Sequence, residues 1–350
     1  MLLKRSKTII ALTMAAVMSL ALVGCGSTAK TSETTAPAAT TGTTEQVSKL
    51  RPEGVPEDFP NKEILYIYGF GAGSVQEAYF RILADKIQKM EGWDHGFVYT
   101  FKEGASGRIG WTYLADAKPD GYTIGFTPSA MLISTVAEDV PYGIDKMSFI
   151  YNMMSDPGAI GVGKDSKYAS LKDLVEDAKA RPGEVSIGVT STIGQEGLTV
   201  KLLEKASGAK FNMIAFDGEP EVLTGVVGKH LDAFCLNVTD TTPYIDDLKV
   251  LATGNTERSG FLPDVPTYKE SGYDVMQVNM RGIGAPAGTP EPIRQYLENC
   301  FLAAAADPEV QAQVKDMQIP VDSMSGTDLL ANFTTIRNGL QTLWDADPWQ

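Results

Sequence analysis

The chain is poor in the side chains that most metal sites and many catalytic sites use. Its 350 residues include only 2 His and 3 Cys, and the cysteines lie far apart in the sequence. So few soft ligands argue against a Cys/His zinc site and against a small fold held together by disulfides. A hydrophobic fraction of 43% over this length instead indicates a globular protein of about two domains.

Positive charge is also scarce. The chain has 30 Lys and Arg against 44 Asp and Glu, which gives a formal net charge of −14. Binding to nucleic acid needs a basic surface that neutralises phosphates, so this balance argues against a nucleic-acid partner. The Gly-x-Ser-x-Gly motif of a nucleophilic serine is missing, and Gly104-Ala105-Ser106-Gly107 comes nearest to it. Nothing in the sequence calls for a metal ion or a cofactor.

The N-terminus has the layout of a bacterial export signal. Lys4, Arg5 and Lys7 precede an apolar run over residues 8–23, which ends at Leu22-Val23-Gly24-Cys25. The run is shorter than the ~20 residues of a transmembrane helix. Residues 22–25, Leu-Val-Gly-Cys, resemble the lipobox of bacterial lipoproteins. This resemblance predicts cleavage before Cys25 and a lipid on that cysteine. An ordinary signal peptide or a short anchor is the alternative.

The residues after the predicted cleavage site have the composition of a flexible tether. Residues 26–49 are almost entirely Ser, Thr, Ala, Gly and Glu, without an aromatic side chain. Such a segment cannot bury enough apolar area to offset the entropy lost on ordering. We therefore predict a lipoprotein signal peptide at residues 1–24 and a lipidated tether at 25–60. The folded part would then begin at Asn61, on the outer face of the bacterial cell membrane.

From Asn61 onward, apolar runs of strand length alternate with segments of helical periodicity. Strands are predicted at residues 64–68, 97–101, 185–189, 211–215, 231–236 and 250–253. Helices are predicted at residues 75–90, 109–117, 198–206 and 222–227, with two more helices in the last third of the chain. This alternation predicts an α/β fold with a largely parallel sheet and helices on both faces.

The loop after the first predicted strand has the character of an anion-binding turn. Residues 69–77 read Gly69-Phe70-Gly71-Ala72-Gly73-Ser74-Val75-Gln76-Glu77. A glycine-rich loop that opens a helix allows backbone N–H groups to approach an anion closely. The segment lacks the last glycine of a dinucleotide-binding motif, so a small anionic ligand is the preferred interpretation. A plain tight turn is the alternative.

Two later loops also follow predicted strands. Thr190, Ser191 and Thr192 stand at a predicted helix N-terminus, where hydroxyl groups either cap the helix or bind a carboxylate. The turn at Phe216-Asp217 is the third candidate, with an Asx-type turn as its structural alternative. In open α/β sheets, ligands lie outside the carboxyl ends of the strands, where these three loops would meet.

The remaining cysteines and histidines fit structural roles. Cys235 lies in an apolar strand and Cys300 on an apolar helical face, which predicts two buried thiols. A disulfide between them is the alternative in an oxidising compartment. His230 is predicted to lie in an exposed turn, and His95 belongs to no recognisable motif.

Several stretches resemble one family of transport receptors. Residues 115–124 read Ala-Asp-Ala-Lys-Pro-Asp-Gly-Tyr-Thr-Ile and resemble the segment A-K-A-x-P-D-G-Y-T-L of the substrate-binding receptors of tripartite tricarboxylate transporters, the Bug family. Residues 262–267, Leu-Pro-Asp-Val-Pro-Thr, and residues 284–290, Gly-Ala-Pro-Ala-Gly-Thr-Pro, are similar to two further segments of that family. The resemblance extends over residues 62–344.

The resemblance implies a periplasmic-binding-protein fold of the Venus flytrap type, with two lobes that are each a mostly parallel sheet flanked by helices. We expect residues 61–157 and 280–350 in the first lobe and residues 158–279 in the second. The implied function is capture of a small carboxylate between the lobes by a monomeric extracytoplasmic receptor, which delivers it to a two-component membrane permease. An extracytoplasmic α/β enzyme acting on a small carboxylate is the alternative, since a fold does not determine a function.

The family's binding loops map onto the three loops described above and onto the ends of two further strands. The residues predicted to bind the ligand are Phe70, Gly71, Ala72, Gly73, Ser74, Val75, Gln76, Glu77, Thr127, Ser129, Thr190, Ser191, Thr192, Ile193, Phe216, Asp217 and Asn237.

The chain departs from the family pattern in three segments. Gln76 and Glu77 replace a Thr and an Asp, and Gly197 stands where the family has His. Residues 101–107, Phe-Lys-Glu-Gly-Ala-Ser-Gly, stand where the family has N-R-P-G-A-G-G. If Glu77 faces the cleft, its charge would favour a ligand with an amino group. If it faces solvent, the dicarboxylates usual in the family remain the candidates.

Overall fold

The computed structural model describes residues 49–216, 218–346 and 348. The predicted signal peptide, Cys25 and most of the predicted tether therefore lie outside the described residues, as does Asp217. No helix in the described ranges is both long enough and apolar enough to cross a membrane.

Ten strands and ten α-helices follow one another along the described chain. The strands are β1 Ile64–Tyr68, β2 Phe97–Phe101, β3 Thr123–Pro128, β4 Met147–Gly163, β5 Ser186–Val189, β6 Asn212–Ala215, β7 Ala233–Asn237, β8 Leu248–Thr253, β9 Val278–Pro286 and β10 Val321–Ser325. The helices are α1 Val75–Glu91, α2 Arg108–Ala115, α3 Met131–Ala137, α4 Leu171–Ala180, α5 Gln195–Ser207, α6 Glu219–Val227, α7 Val238–Thr241, α8 Glu291–Ala305, α9 Pro308–Asp316 and α10 Gly326–Ala346. The six predicted strands and the predicted helices are confirmed, with bounds that move by a few residues.

The strands form a mixed sheet in the order β2-β1-β3-β9-β4-β7-β5-β6, and β8 and β10 also pair with β4. β1 runs parallel to β2 and β3, and β5 runs parallel to β6 and β7. The expected parallel order thus holds within these two groups. The long strands β4 and β9 pair antiparallel with their neighbours. The apolar pattern did not predict β4, since Ser155, Asp156, Pro157 and Gly158 interrupt it.

β4 passes from one group of strands to the other at a close crossing of the chain. It pairs with β9 as far as Pro157, opposite Val278, and from Gly158 onward it pairs with β7 and β8. The Gly158 N–H donates to the Gln277 carbonyl at 2.7 Å, and the Gly254 N–H donates to the Gly158 carbonyl at 2.8 Å. A Cβ atom on Gly158 would lie 2.0 Å from Cδ of Gln277, so this crossing needs glycine.

Each group of strands has its own apolar core. In the first, Tyr66 stacks on Phe80 with ring centroids 3.5 Å apart. The second is built around the aliphatic side chains of β5, α4 and α5. A further cluster joins Met131 and Leu329 of the first group to Leu198 of α5, so α5 packs against both groups. Cys235 and Cys300 are buried and free, which confirms the prediction of two buried thiols.

Candidate functional site

The glycine loop after β1 leads into the N-terminus of α1. Ser74 is the N-cap residue, and its Oγ accepts a hydrogen bond from the Glu77 N–H at 3.2 Å. The Tyr68 hydroxyl lies 2.7 Å from Ser74 Oγ and accepts a hydrogen bond from Gln76 Nε2 at 2.8 Å. These contacts fix the loop against the helix. The first N–H groups of a helix have no partner within the helix, so this end of α1 presents free donors.

Glu77 is held inside this loop. The residue is 4% exposed, Oε2 accepts from the Gly73 N–H at 2.6 Å, and Oε1 accepts from Arg81 Nε at 2.9 Å. The carboxylate therefore faces neither open solvent nor a ligand as a free charge, because Arg81 neutralises it one turn along the helix. This geometry argues against both alternatives that the sequence left open for Glu77.

The glycine loop rests on a strained neighbouring segment. Gly104, Ala105, Ser106 and Gly107 all have positive φ values, 118°, 49°, 54° and 90°. Ala and Ser rarely adopt this left-handed conformation, which costs of order 1–3 kcal/mol for a residue other than glycine. A Cβ on Gly107 would lie 2.8 Å from Cζ of Phe70, so the segment supports the Phe70 ring directly. Phe70 in turn packs edge-on against neighbouring aromatic rings rather than standing free.

The loop between β5 and α5 leaves two hydroxyl groups available. Thr190 Oγ1 donates to Glu196 Oε2 at 3.1 Å, whereas Ser191 and Thr192 bond to no other described residue through their hydroxyls. A Cβ on Gly197 would lie 2.3 Å from the Thr192 carbonyl oxygen. Glycine at this position therefore lets the loop lie close against α5, which is the physical reason for one departure from the family pattern. Ile193, at the tip of the loop, is 49% exposed.

Thr127 and Ser129 lie at the junction of β3 and β9. Ser129 Oγ accepts from the Met280 N–H at 3.0 Å and bonds to Asn279 Oδ1 at 3.3 Å. The fully buried Thr127 hydroxyl lies against the backbone of Gly282, 3.1 Å from where a Cβ would stand. Ser129 thus connects the two strands, whereas the Thr127 hydroxyl has no hydrogen-bond partner among the described residues. The geometry therefore gives Ser129 a positioning role in the sheet.

A buried ion pair lies where β4 and β9 cross, and the sequence analysis missed it. Arg281 Nη2 donates to Asp156 Oδ2 at 3.0 Å, and the Thr239 N–H donates to Asp156 Oδ1 at 3.3 Å. Burial raises the pKa of Asp156 to about 6, although Arg281 and the Thr239 hydroxyl oppose the rise. Each of the two strands contains a single charged residue, but nothing in the sequence indicates that these two residues pair.

Three further carboxylates gather around this ion pair. Glu196 is 8% exposed, and burial, together with Asp240 and Glu219, raises its pKa to about 7. Glu219 is the first residue of α6 and reaches solvent, yet desolvation and Asp240 raise its pKa too. A carboxylate in a cleft is expected to show this combination, since solvent reaches it but surrounds it incompletely. Burial raises the pKa of Tyr68 to about 12, although its hydrogen bonds to Ser74 and Gln76 and the charge of Arg281 oppose the rise.

The other predicted residues flank this cluster. Phe216 is partly buried at the end of β6, and Asp217 lies outside the described residues. Asn237, at the end of β7, donates through both its N–H and Nδ2 to Asp240 Oδ2 at 3.0 Å. Because β5 runs parallel to β6 and β7, the loops after these three strands lie at one edge of the sheet. The structure also shows a group of charged residues that the sequence did not indicate: Asp156, Glu196, Glu219, Asp240 and Arg281.

Comparison with known proteins identifies the family. The sequence model of the tripartite tricarboxylate transporter family receptor matches residues 79–335. The chain belongs to this receptor family. It is 28% identical to a UPF0065 protein from the gbd 5' region of Cupriavidus necator, over 71% of this chain and 76% of that one. It is also 28% identical to the protein BugT of Bordetella pertussis, over 68% of this chain and 74% of that one.

Solved structures agree with this assignment. The periplasmic binding protein BugD superposes with a TM-score of 0.73 at 26% identity, over 82% of this chain and 98% of BugD. A periplasmic transporter superposes with a TM-score of 0.74 at 23% identity, over 82% of this chain and 97% of the other. The two-lobed periplasmic-binding-protein fold is thereby confirmed. Since the members of the family are receptors, the chain is a solute-binding protein and not an enzyme.

Proposed function

We propose that this receptor captures a small organic acid between its two lobes, outside the cytoplasm, and delivers it to a two-component membrane permease of the tripartite tricarboxylate type. The proposal is supported by two helix N-termini, those of α1 and α5, each preceded by a loop with available donors. Two proteins of the same fold from Rhodopseudomonas palustris support it, since one contains adipate and the other malate. They are 20% and 19% identical to this chain.

The proposed recognition of a carboxylate follows from the chemistry of these two ends. Val75 and Gln76 open α1 with N–H groups that have no acceptor in the described part of the chain. The hydroxyls of Ser191 and Thr192 stand before α5, whose N-cap residue, Gly194, has no side chain to occupy the free N–H groups. A carboxylate oxygen can accept from either set, and the dipole of each helix favours negative charge there.

The remaining predicted residues would form the walls of the binding site. Exposed backbone at Gly71, Ala72 and Gly73 would allow close approach of the ligand, and Phe70, Ile193 and Phe216 would contact its carbon skeleton. Asp217 belongs to the same proposal.

The proposed lobes are residues 61–157 with 280–350, and residues 158–279. The change in strand pairing between Pro157 and Gly158 supports this division. A ligand that contacts both lobes stabilises the closed arrangement only through the contacts that the open one lacks. The permease would then recognise the closed receptor, which we expect to act as a monomer.

We further propose that Cys25 is the mature N-terminus and carries the lipid that attaches the receptor to the membrane. The Leu-Val-Gly-Cys sequence after a short apolar run supports this. A Cys25→Ser variant should leave the membrane fraction and lose the mass of the lipid. Unchanged membrane retention with an unchanged mass would contradict the proposal.

The binding site is tested by replacing the available hydroxyls. A thermal-shift screen of small mono-, di- and tricarboxylates first selects a ligand, because binding raises stability by RT ln(1 + [L]/Kd). A Ser191→Ala, Thr192→Ala double variant should then bind that ligand about tenfold more weakly or worse, since a hydrogen bond to a charged group contributes about 1.5–3 kcal/mol. Ser207→Ala, at the far end of α5, is the matched control and should bind as the wild type does. Equal affinity of the wild type and both variants would show that the loop with Ser191 and Thr192 does not bind the ligand.

A further inference from the structure

We propose that Leu198 of α5 is a positioning residue for ligand binding, because its apolar contact with the first proposed lobe stabilises the closed arrangement of the two lobes. The inference rests on the proposed function and deepens it. It assigns a role in affinity to a side chain outside the proposed binding loops.

The helix α5 packs on two apolar clusters at once. Leu203 belongs to the core of the second group of strands, within the second proposed lobe. Leu198, which is 7% exposed, belongs instead to a cluster whose other buried members all lie in the first proposed lobe. Leu202 packs against both clusters. One helix thus connects the two lobes through its side chains.

A hydrogen bond lies beside this apolar contact. Gln195 Nε2 donates to the carbonyl of Val278, the first residue of β9, at 2.9 Å. Gln195 and Leu198 are three residues apart on α5, so they share one face of the helix. Met280, two residues beyond Val278 on β9, is a buried member of the same cluster as Leu198. The face of α5 that carries Leu198 therefore lies against β9 where this strand enters the first lobe.

The contact lies on the side of the crossing where the ligand is proposed to bind. The Ser129 N–H donates to the Met280 carbonyl at 2.9 Å, and Ser129 directly follows the carboxyl end of β3. In open α/β sheets, ligands lie outside the carboxyl ends of the strands. On the second lobe, the proposed binding hydroxyls of Ser191 and Thr192 lie in the loop that leads into α5. Opening of the lobes about the crossing should therefore separate Leu198 from the first lobe.

A contact that is made only in the closed arrangement contributes to affinity without touching the ligand. When a ligand binds tightly to one arrangement, its apparent Kd is the intrinsic Kd divided by the fraction of chains in that arrangement. Removal of the contact lowers this fraction, because the closed arrangement loses apolar burial that the open one never had. The bound ligand should also dissociate faster, since the lobes then reopen more readily.

Replacement of Leu198 in the full chain tests this role. The probe is the mono-, di- or tricarboxylate that raises the melting temperature most, malate and adipate being among those screened. Leu198→Ala should bind this acid about fivefold more weakly or worse, mainly through faster dissociation. Leu198→Met keeps the side-chain volume and should restore the affinity to within about twofold of the wild type. Leu198→Val removes a single methylene and should show a smaller loss of the same sign.

Leu203→Ala is the matched control. It removes the same atoms from the same helix, but Leu203 packs in the core of the second lobe, so the variant should melt at a lower temperature and keep its affinity within about twofold. If either alanine variant does not fold, Leu198→Val and Leu203→Val make the same comparison.

The outcomes separate this inference from the proposed function. Unchanged or tighter binding by Leu198→Ala, or an equal loss of affinity in the Leu203 control, would overturn the role of Leu198 while the carboxylate receptor stands. Failure of the wild type to bind any small carboxylate would overturn the proposed function, and this inference with it.

Discussion

At the scale of single residues, buried carboxylates separate what the sequence predicts from what only the structure reveals. Glu77 and Arg81 are four residues apart on one helix, so their pairing could have been predicted from helical spacing. Asp156 and Arg281 are 125 positions apart in the sequence, and no local pattern predicts their contact. Glu196 and Glu219 look like ordinary first-turn acidic residues in the sequence. Their altered pKa values depend on neighbours from other elements.

Glu196 gives a pH prediction with a definite sign. Its pKa of about 7 in the folded protein exceeds the ordinary 4.5, so between these values the folded state binds more protons than the unfolded state. Stability should therefore fall as pH rises through this window, by at most about 3 kcal/mol from this group. Glu196→Gln removes this titrating group. The variant should therefore lose less stability than the wild type between pH 4.5 and pH 8.

Urea unfolding at a series of pH values measures the effect. Asp156, with its raised pKa, should leave a smaller decline in the variant. Parallel wild-type and variant curves over the whole series would show that Glu196 keeps its ordinary pKa.

At the scale of elements, the sequence predicts strands with continuous apolar runs and misses those that contain polar or turn-forming residues. β1 and β2 are predicted to the residue, since each is a short apolar run next to a helical pattern. β4 is missed because Pro157 and Gly158 indicate a turn, whereas the structure uses them where the strand changes partners. The positive φ values of Ala105 and Ser106 could not be predicted from the sequence either. They arise because the glycine loop packs against that segment.

Relief of this backbone strain should stabilise the protein. Ala105 has φ 49°, which glycine adopts without a steric penalty, so Ala105→Gly should raise the free energy of unfolding by about 1 kcal/mol. Ala331→Gly in the exposed interior of α10 should instead lower it by about 1 kcal/mol. Chemical unfolding of both variants measures the two effects. A loss of stability in Ala105→Gly similar to that in Ala331→Gly would show that the segment is unstrained.

At the scale of the whole molecule, the two groups of strands are joined where the chain crosses between them. Gly158, Gly254 and Gln277 are joined by backbone hydrogen bonds, and the Gln277 side chain is fixed by the Tyr268 hydroxyl at 3.0 Å. The resemblance to a known family predicted the two-lobed fold, and the structural comparisons confirm it. The contact of Leu198 with the first group could not be predicted, since it depends on how α5 lies over the crossing.

The crossing should tolerate no added side chain. Gly158→Ala places a methyl group on the buried Gln277 side chain and should lower stability by about 1–3 kcal/mol, as overpacked cores do. Gly260→Ala is the control. Apart from its chain neighbours, no described residue has an atom within 4 Å of where a Cβ would stand there, so the change should stay within about 0.5 kcal/mol. Equal stability of both variants would mean that the crossing is looser than the structure indicates.

This chain should bind a small organic acid and release it unchanged. Calorimetric titration of the acid selected by thermal shift, followed by an NMR spectrum of the recovered acid, tests this directly. We expect saturable binding of one acid per chain and a spectrum identical to that of the starting compound. Failure of every small carboxylate to bind, or recovery of a chemically altered acid, would contradict it.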